Sequence, residues 1–376
     1  MKKISLLLVG LLTITLLPKL VIAQYVGDYN PAVAYDSNRN RYLVVYHKET
    51  VPGTGDYDVY GQFVNRNGTP IGVKFVISKA VKGQFRPSIA YDSINRKFLV
   101  VWRHELRTGT HIYGQFVNEV GTLMGRNFII SDSPTSTAGQ YHPSIAYDSI
   151  NQRFLVVWED NRNYTSTQYD IYGQLVNANG KLNGKNFVIS NVSGNQYNSS
   201  VSFDDTNQRF LVVWNDYRDY DTKGADIYGQ LVNYDGALIG SNFTINNDPG
   251  DQSIPSIAYD SVNQRFLVVW EYHYPPLKKD ILGQVVNADG SSHTGILEIS
   301  LASGDQQEPS VAYDPVSERY LVVWWDDRYS ATLGSGIYGQ LVNANGSLSG
   351  DNFVISNALN DQWLPSVAYN SLCNNF

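Results

Sequence analysis

The sequence of 376 residues contains few sulfur-bearing residues: a single cysteine, Cys373, and two methionines. One cysteine cannot form an intramolecular disulfide, so burial and backbone pairing must hold the fold together. Basic residues are also outnumbered, with 28 Lys and Arg against 35 Asp and Glu and a formal charge of -7. An acidic chain is repelled by phosphate backbones and anionic lipids, so neither nucleic acid nor a membrane surface is an expected partner.

Long apolar runs are missing except near the N-terminus. Lys2 and Lys3 precede an apolar stretch at 4–17, and Val21-Ile22-Ala23 offers a cleavage region before Gln24. This layout predicts a secretory signal peptide over residues 1–23, and the stretch is shorter than the roughly 20 residues that span a bilayer. Its removal takes three lysines and no acid, so -7 becomes about -10. The mature chain is expected to be secreted, cell-surface or periplasmic, without membrane insertion; an uncleaved anchor is the alternative.

What the sequence does contain is repetition. The string "PSIAYDS", or a close variant, recurs along the chain, and its aromatic residue falls at Tyr35, Tyr91, Tyr147, Phe203, Tyr259, Tyr313 and Tyr369. The intervals are 56 residues, except for one of 54. Six copies are complete, and a seventh begins at Trp363 and stops within the motif. A fixed period of about this size is typical of propellers and other repeat architectures.

Each copy holds four short extended segments, named A to D: "PSIAYD", "FLVVW", "IYGQLV" and "NFVIS". Segment B is apolar on both faces, which predicts a strand covered on both sides. Between C and D, pairs such as Asn179-Gly180 supply the positive φ angles of a tight hairpin turn. Residues 24–376 are therefore expected to form one all-β domain, a β-propeller of four-stranded antiparallel blades. Six blades are favoured; an incomplete seven-bladed ring and a linear β-solenoid are the alternatives.

The B-to-C and D-to-A connections leave such a blade on the same side, and they carry the length and variety of the sequence. Varied loops on a regular scaffold favour a binding face, here the B-to-C loop face. An Asp-x-Arg pattern follows the segment-B tryptophan in copies three, four and six. The predicted ligand-binding residues are Asp160, Arg162, Tyr164, Asp216, Tyr217, Arg218, Asp326 and Arg328. The alternative is a structural Asp–Arg network, or pairing of the Arg with Asp170 or Asp226 at the start of segment C.

Acidic residues also cluster in sequence on this face: Glu105, Asp160, Asp216, Glu271 and Asp326. Paired carboxylates can do the acid–base work of a glycosidase, and several oxygen ligands suit Ca²⁺. Solvated loop charges are the favoured explanation of the set, so no catalytic residue is assigned, no cofactor is expected, and Ca²⁺ binding stays open. The recurring Tyr-Gly-Gln of segment C is interpreted as architectural, with the glycine allowing close approach and the amide satisfying backbone groups between blades.

One stretch carries a family resemblance. "VVWEDNRNYTSTQYDIYGQLVN" at 156–177 resembles the tandem repeats of secreted bacterial and archaeal proteins predicted to be β-propellers. More loosely, the pattern is similar to the blades of TolB-like six-bladed propellers. The resemblance implies the fold and says little of function, since propellers host many activities. The Asp-box of sialidases is absent, and the isolated Trp325-Asp326 does not indicate a WD40 protein.

These features together predict a secreted or cell-surface binding or adhesion module. It would recognise an extracellular glycan or protein through the B-to-C loop face, without catalysis, because the scaffold is regular and no established catalytic motif occurs. A carbohydrate-active hydrolase or lyase using loop carboxylates is the first alternative. A structural surface-layer component is the second.

Overall fold

The computed structural model describes residues 28–376 apart from 52, 133–137, 275–277, 358–360, 373 and 375. Its strands form six separate four-stranded sheets, each with its strands in sequence order and antiparallel. The predicted β-propeller of four-stranded blades is thereby confirmed, with six complete blades. The predicted signal peptide and Cys373 lie outside the described residues.

Blades one to three follow one another along the chain. Their strands are β1 Asp28–Asp36, β2 Arg41–Glu49, β3 Tyr57–Asn65, β4 Pro70–Ser78, β5 Gln84–Asp92, β6 Lys97–Leu106, β7 Gly109–Asn118, β8 Leu123–Ile129, β9 Gln140–Asp148, β10 Arg153–Asp160, β11 Asp170–Asn177 and β12 Leu182–Ser190. Segments A to D of each copy thus become the four strands of one blade.

Blades four to six repeat this plan, and two of them add a helical turn between their second and third strands. Their elements are β13 Gln196–Asp204, β14 Arg209–Asp216, α1 Tyr220–Lys223, β15 Asp226–Asn233, β16 Leu238–Asn246, β17 Asp251–Asp260, β18 Arg265–His273, β19 Lys279–Asn287, β20 Leu297–Ser300, β21 Gln306–Asp314, β22 Arg319–Asp326, α2 Ser330–Leu333, β23 Gly336–Asn343 and β24 Leu348–Ser356. In the described chain the helices are single turns of four residues, too short to cross a bilayer.

The core lies between adjacent blades, because each segment-B strand is apolar on both faces. Val156 and Trp158 of β10 pack against Val101 of blade two. On the other face of the same strand, Val157 packs against Trp214 of blade four. Trp158 and Trp214 are fully buried. Alternating side chains of one strand therefore join three blades, as the period of two in a strand requires.

The "PSIAYD" motif joins neighbouring blades near their A-to-B turns. Tyr147 donates its hydroxyl to Oδ1 of Asp92 in the preceding blade at 2.6 Å. The same Asp92 oxygen accepts the backbone N–H groups of Ile94 and Asn95, which closes its own turn. Tyr259 makes the equivalent bond to Asp204 at 2.7 Å. A copy with a tyrosine here can supply a donor to one neighbour and an acceptor to the other, whereas Phe203 of copy four has no hydroxyl to donate.

The C-to-D turns depart in one detail from the expectation. Gly180 has a φ of 85°, whereas the preceding Asn179 does not enter the positive-φ region. Asn177 accepts the N–H of Gly180 at 2.8 Å and donates its own N–H to Lys181 at 2.9 Å. This is a type I turn followed by a left-handed glycine, in which only the glycine needs positive φ.

The repeated glutamine of segment C ties the outer strand to its blade and to the blade before. Gln230 is fully buried and donates to the carbonyls of Leu231 and Ile239 at 2.9 and 3.0 Å. Its oxygen accepts from Asn242 at 2.8 Å, and Asn242 also donates to the carbonyl of Ile189 in blade three. These contacts agree with the architectural interpretation of the Tyr-Gly-Gln motif.

Replacing Gln230 by leucine should destabilise the fold. The change leaves two backbone carbonyls and one amide without their partner, at a cost of about 1–3 kcal/mol for each buried group left unsatisfied. We expect a clear drop in the melting temperature measured by circular dichroism. Ser241→Ala, at an exposed position of β16, is the control and should leave it unchanged. Equal melting temperatures for the two variants would contradict the architectural role.

The seventh copy contributes one segment to the ring. Val367 packs with Ala312 and Val323 of blade six, while Ala368 packs with the aromatic cluster of blade one. The backbone N–H of Val367 donates to Ser310 Oγ at 3.3 Å, as Val311 does to Ser256 one blade earlier. Residues 363–369 thus lie where an inner strand would, between blade six and blade one. Seven inner segments consequently surround the central channel.

Candidate functional site

The central channel is lined at one end by the first residue of the "xPSIAYD" string, or of its variant, in each inner segment. These seven residues, called the channel ring, are Asn30, Arg86, His142, Asn198, Ile254, Glu308 and Leu364. Together with the one or two residues that follow each of them, in most copies a Pro-Ser pair, they line a space of 260 Å³. The ring lies at the end of the channel from which the B-to-C loops leave, because its residues sit beside the last residues of the segment-B strands.

All seven channel-ring residues share an unusual backbone. Their φ angles lie between 47° and 57°, in the left-handed region that few non-glycine residues adopt. In blade three, His142 and Pro143 together oppose Trp158, since Glu159 pairs with Tyr141 and Val157 with Ser144. This is a β-bulge, which re-aims a side chain. Even the β-branched Ile254 is held this way, and such strain clusters at functional sites.

A second set of side chains supports the ring from behind. It consists of the residue after the segment-B aromatic, here called the supporting ring: His47, Arg103, Glu159, Asn215, Glu271 and Trp325. Three of them accept the backbone N–H of a channel-ring residue in the next blade. Glu159 accepts from Asn198 at 2.6 Å, Glu271 from Glu308 at 2.8 Å, and His47 from Arg86 at 3.4 Å. The strained backbone is thus hydrogen-bonded across three of the blade interfaces.

The channel ring and the supporting ring contain two groups of charged side chains. In blade three, His142 Nδ1 lies 2.6 Å from Oε1 of Glu159, which is 2% exposed. In blades five and six, Lys279 Nζ pairs with Glu271 Oε2 at 3.1 Å and contacts Gln307. Burial, and then the charge of Glu271, raise the pKa of the half-buried Glu308. One mouth therefore holds a carboxylate-bound imidazole and an acid that is biased toward its protonated form.

The predicted ligand-binding residues lie farther out on the same face. Asp160, fully buried, accepts from Trp158 Nε1 at 3.0 Å and from the Arg162 guanidinium at 2.6 and 2.9 Å. Arg162 lies over the ring of Tyr172, 4.1 Å from its centroid. Each Asp thus pairs with the Arg of its own copy.

The same Trp–Asp–Arg–Tyr contacts recur in blades four and six. They join Trp214, Asp216, Arg218 and Tyr228 in blade four, and Trp324, Asp326, Arg328 and Tyr338 in blade six. Blades two and five have no Asp at this position, and the indole N–H groups of Trp102 and Trp270 find no partner among the described residues. The contacts correspond to the structural alternative, an Asp–Arg network; a ligand-binding role for these residues stays a prediction.

The acidic residues at the start of segment C do not form ion pairs with the arginines. Asp170 accepts from Asn163 and Thr167 at 3.2 and 3.0 Å. Asp226 is buried and neither of its oxygens has a hydrogen-bond partner in the described chain. Burial accordingly raises the pKa of Asp226 to about 6. The alternative pairing of Arg162 or Arg218 with these acids is therefore wrong.

Tyr164 and Tyr217 lie near the Trp–Asp–Arg–Tyr contacts of blades three and four. Tyr164 is 56% exposed and meets Tyr169 edge-on at 5.7 Å. Tyr217 lines a pocket of 490 Å³ between these blades, together with Arg218 and Asn195. Of the acid set, Glu105 pairs with Arg103, and Glu271 belongs to the supporting ring. No group of three or more His, Cys, Asp or Glu among the described residues is arranged to hold a metal ion.

Sequence reasoning missed His142, Glu159 and Glu308. Their signal was available in the repeat itself. Within "xPSIAYD" and its variants, the first position varies from Asn to Arg, His, Ile, Glu and Leu. A position that changes inside an otherwise fixed strand is free of the constraint that fixes its neighbours, and here it faces the channel.

No protein-family model matches the sequence, and neither does any curated protein. Solved structures do share the fold. A protein of unknown function from Dyadobacter fermentans matches with a TM-score of 0.59 and 12% identity, over 82% of this chain and 93% of that one. An alpha-L-arabinofuranosidase from Fusarium graminearum, solved with an iminosugar inhibitor, matches with a TM-score of 0.57 and 10% identity, over 87% and 97%. A complex of the family GH93 arabinofuranosidase of Fusarium graminearum with arabinobiose matches with a TM-score of 0.55 and 10% identity.

These comparisons change two expectations. The prediction of a binding module without catalysis is contradicted, because the solved propellers of this shape include glycoside hydrolases, and the hydrolase alternative is favoured. The looser resemblance to TolB-like propellers has no counterpart among these structures, so only the β-propeller fold remains of it. At identities of 10–12% the likeness establishes the fold, and the reaction has to be argued from the residues of this chain.

Proposed function

We propose that the chain is a glycoside hydrolase whose reaction takes place at the channel ring. The observation that carries the proposal is the presence of His142, bound to the buried Glu159, and of Glu308 in one mouth. They are the third and sixth of the seven ring positions, so the space between them spans the channel. Hydrolysis of a glycosidic bond needs such a pair, with one group to take a proton from water and another to protonate the leaving oxygen.

His142 is the general base in this proposal. The carboxylate of Glu159 accepts the Nδ1 proton at 2.6 Å, which leaves Nε2 as the basic nitrogen. The same oxygen, Oε1 of Glu159, also accepts the backbone N–H of Asn198 at 2.6 Å, which fixes the carboxylate in place. A buried carboxylate that orients an imidazole and stabilises its protonated form is the arrangement that makes His an effective base. Glu159 acts through His142, so we assign it a positioning role.

Glu308 is the general acid. An acid catalyst must carry its proton near neutral pH, and burial together with the charge of Glu271 raises the pKa of Glu308 in that direction. Lys279 Nζ lies 3.1 Å from Oε2 of Glu271, so this cation is paired with the neighbouring carboxylate.

The step balances with water as the sole co-reactant. Water attacks the anomeric carbon while His142 takes one of its protons, the bond from that carbon to the glycosidic oxygen breaks, and Glu308 donates its proton to that oxygen. Because base and acid lie on opposite sides of the mouth, water attacks from the face opposite to the leaving group. The anomeric configuration should therefore be inverted, as it is for enzymes that leave room for water between the two groups.

Arabinofuranosides are the first substrates to test, because the similar propellers include arabinofuranosidases. We expect the purified protein to release arabinose from para-nitrophenyl α-L-arabinofuranoside or from arabinan. His142→Asn should lower kcat by about 10²–10⁴-fold, the range for loss of a general base. His293→Asn is the matched control, since His293 is exposed near a C-to-D turn on the opposite face. Absence of turnover on these and other neutral glycosides, or full activity of His142→Asn, would contradict the proposal.

A further inference from the structure

A continuous row of tyrosine rings runs outward from the proposed base. Tyr141 precedes His142, and its ring centroid lies 5.8 Å from that of Tyr169. Tyr169 is 5.2 Å from Tyr197, which is 5.6 Å from Tyr217. The row ends at Tyr220, 4.9 Å from Tyr217. These five residues and Tyr164, which meets Tyr169 edge-on, are called the tyrosine arc.

The repeat does not demand these tyrosines. The positions of Tyr141 and Tyr197 are held by Ser253 and Gln307 in blades five and six, which fold in the same way. The position of Tyr169 is Ala225 in blade four and Ser335 in blade six. In blades one and two the position of Tyr141 holds Tyr29 and Phe85, so aromatic rings occupy it in blades one to four, although the blade architecture does not require them. Blades five and six carry the Glu271–Lys279 pair and Glu308 on the opposite part of the same face.

The arc is open to solvent and leads to a cavity. Tyr164 and Tyr220 are 56% and 48% exposed, while the rings between them are half-buried. At its outer end, Tyr217 and Tyr220 line the 490 Å³ pocket together with Gln168, Arg218 and Asn195. Oδ1 of Asn195 is buried and accepts no hydrogen bond in the described chain. A buried acceptor without a donor beside a row of rings favours a ligand that carries hydroxyl groups.

We propose that the tyrosine arc binds a neutral polysaccharide and guides the chain from the outer pocket to His142; this inference rests on the proposed function. The C–H faces of sugar rings pack on aromatic rings, and tyrosine adds a hydroxyl that can hydrogen-bond at the ring edge. Four ring-to-ring steps extend the surface well beyond one sugar unit. The substrate is therefore a polymer, with one sugar unit in the channel mouth and the following units on the arc.

The test compares a polymer with a small substrate. Tyr197→Ala should lower kcat/KM for arabinan by about 5–10-fold, the equivalent of about 1 kcal/mol for one lost ring contact, and leave kcat/KM for para-nitrophenyl α-L-arabinofuranoside unchanged. Tyr197→Phe keeps the ring and should restore most of the activity on arabinan. Tyr234→Ala, at an exposed tyrosine in the C-to-D turn of blade four, is the control. Equal losses on both substrates would overturn the inference, because they would mark a structural effect.

A binding measurement separates this inference from the proposed function. Affinity electrophoresis of the Glu308→Gln variant through gels containing arabinan, xylan or a neutral β-glucan measures binding without turnover. Suppose that the polysaccharide retards the protein, that Tyr197→Ala abolishes this retardation, and that the wild-type protein hydrolyses no glycoside. This result would support polysaccharide binding by the tyrosine arc and would contradict the proposed hydrolase function. Hydrolysis of small glycosides, together with no retardation in any of the three polysaccharides, would support the hydrolase function and contradict polysaccharide binding by the tyrosine arc.

Discussion

Glu308→Gln should reduce the hydrolysis of glycosides that have poor leaving groups by about 10²–10⁴-fold. The amide keeps the shape of the side chain but cannot give a proton to the departing oxygen. Activity on dinitrophenyl glycosides, whose leaving group departs without protonation, should fall far less. The measurement is kcat on the two substrate types, and the ratio between them reports acid catalysis separately from any loss of folding.

The pH profile provides a second readout for the same variant. An acid catalyst must be protonated, so wild-type kcat/KM should fall as pH rises through the raised pKa of Glu308. The Glu308→Gln variant has no proton to lose and should lack this alkaline limb. Glu298→Gln, at an exposed position of β20, is the matched control and should keep both the rate and the limb. If kcat/KM of the Glu308→Gln variant still falls at alkaline pH, the titrating group is not Glu308.

Asp216→Ala should destabilise the fold by about 3–5 kcal/mol, the cost of removing one partner from a buried ion pair. The Asp216 carboxylate accepts from Trp214 Nε1 at 2.8 Å, from the Arg218 backbone at 2.9 Å and from the Arg218 guanidinium at 2.7 and 2.9 Å. Removing it leaves the charge of Arg218 confined over Tyr228 with no counter-ion. Denaturant unfolding and the melting temperature both measure the loss.

Asp219→Ala is the control for this change, because Asp219 is an exposed acid in the same loop. It removes the same charge and should leave stability within about 0.5 kcal/mol of wild type. The comparison also decides between the two interpretations of the Asp-x-Arg pattern. An Asp216→Ala protein that unfolds like wild type but loses glycan binding would support the predicted ligand role and contradict the structural one.

The face that carries the channel ring was predictable from connectivity, whereas the groups on it were only partly so. Loop variety pointed to the side of the disc on which both Tyr217 and the channel ring lie. The Asp-x-Arg pattern drew attention because it is conspicuous, yet Asp160 is fully buried and bonded to Trp158 and Arg162 within its own blade. Charged residues that recur beside a buried tryptophan have a local explanation that one sequence does not separate from a binding role.

The sequence alone determined the all-β class, the four strands of each blade and the identity of the buried strands. It could do so because strand pairing and side-chain alternation are set by residues close together in the chain, and the same pattern occurs in six complete copies. Only the tertiary structure decided that Glu159 lies behind His142 and that Glu308 faces the same channel. Glu308 comes from a different copy than His142 and Glu159, and it meets them because closing the ring directs one bulged residue per copy to a common axis.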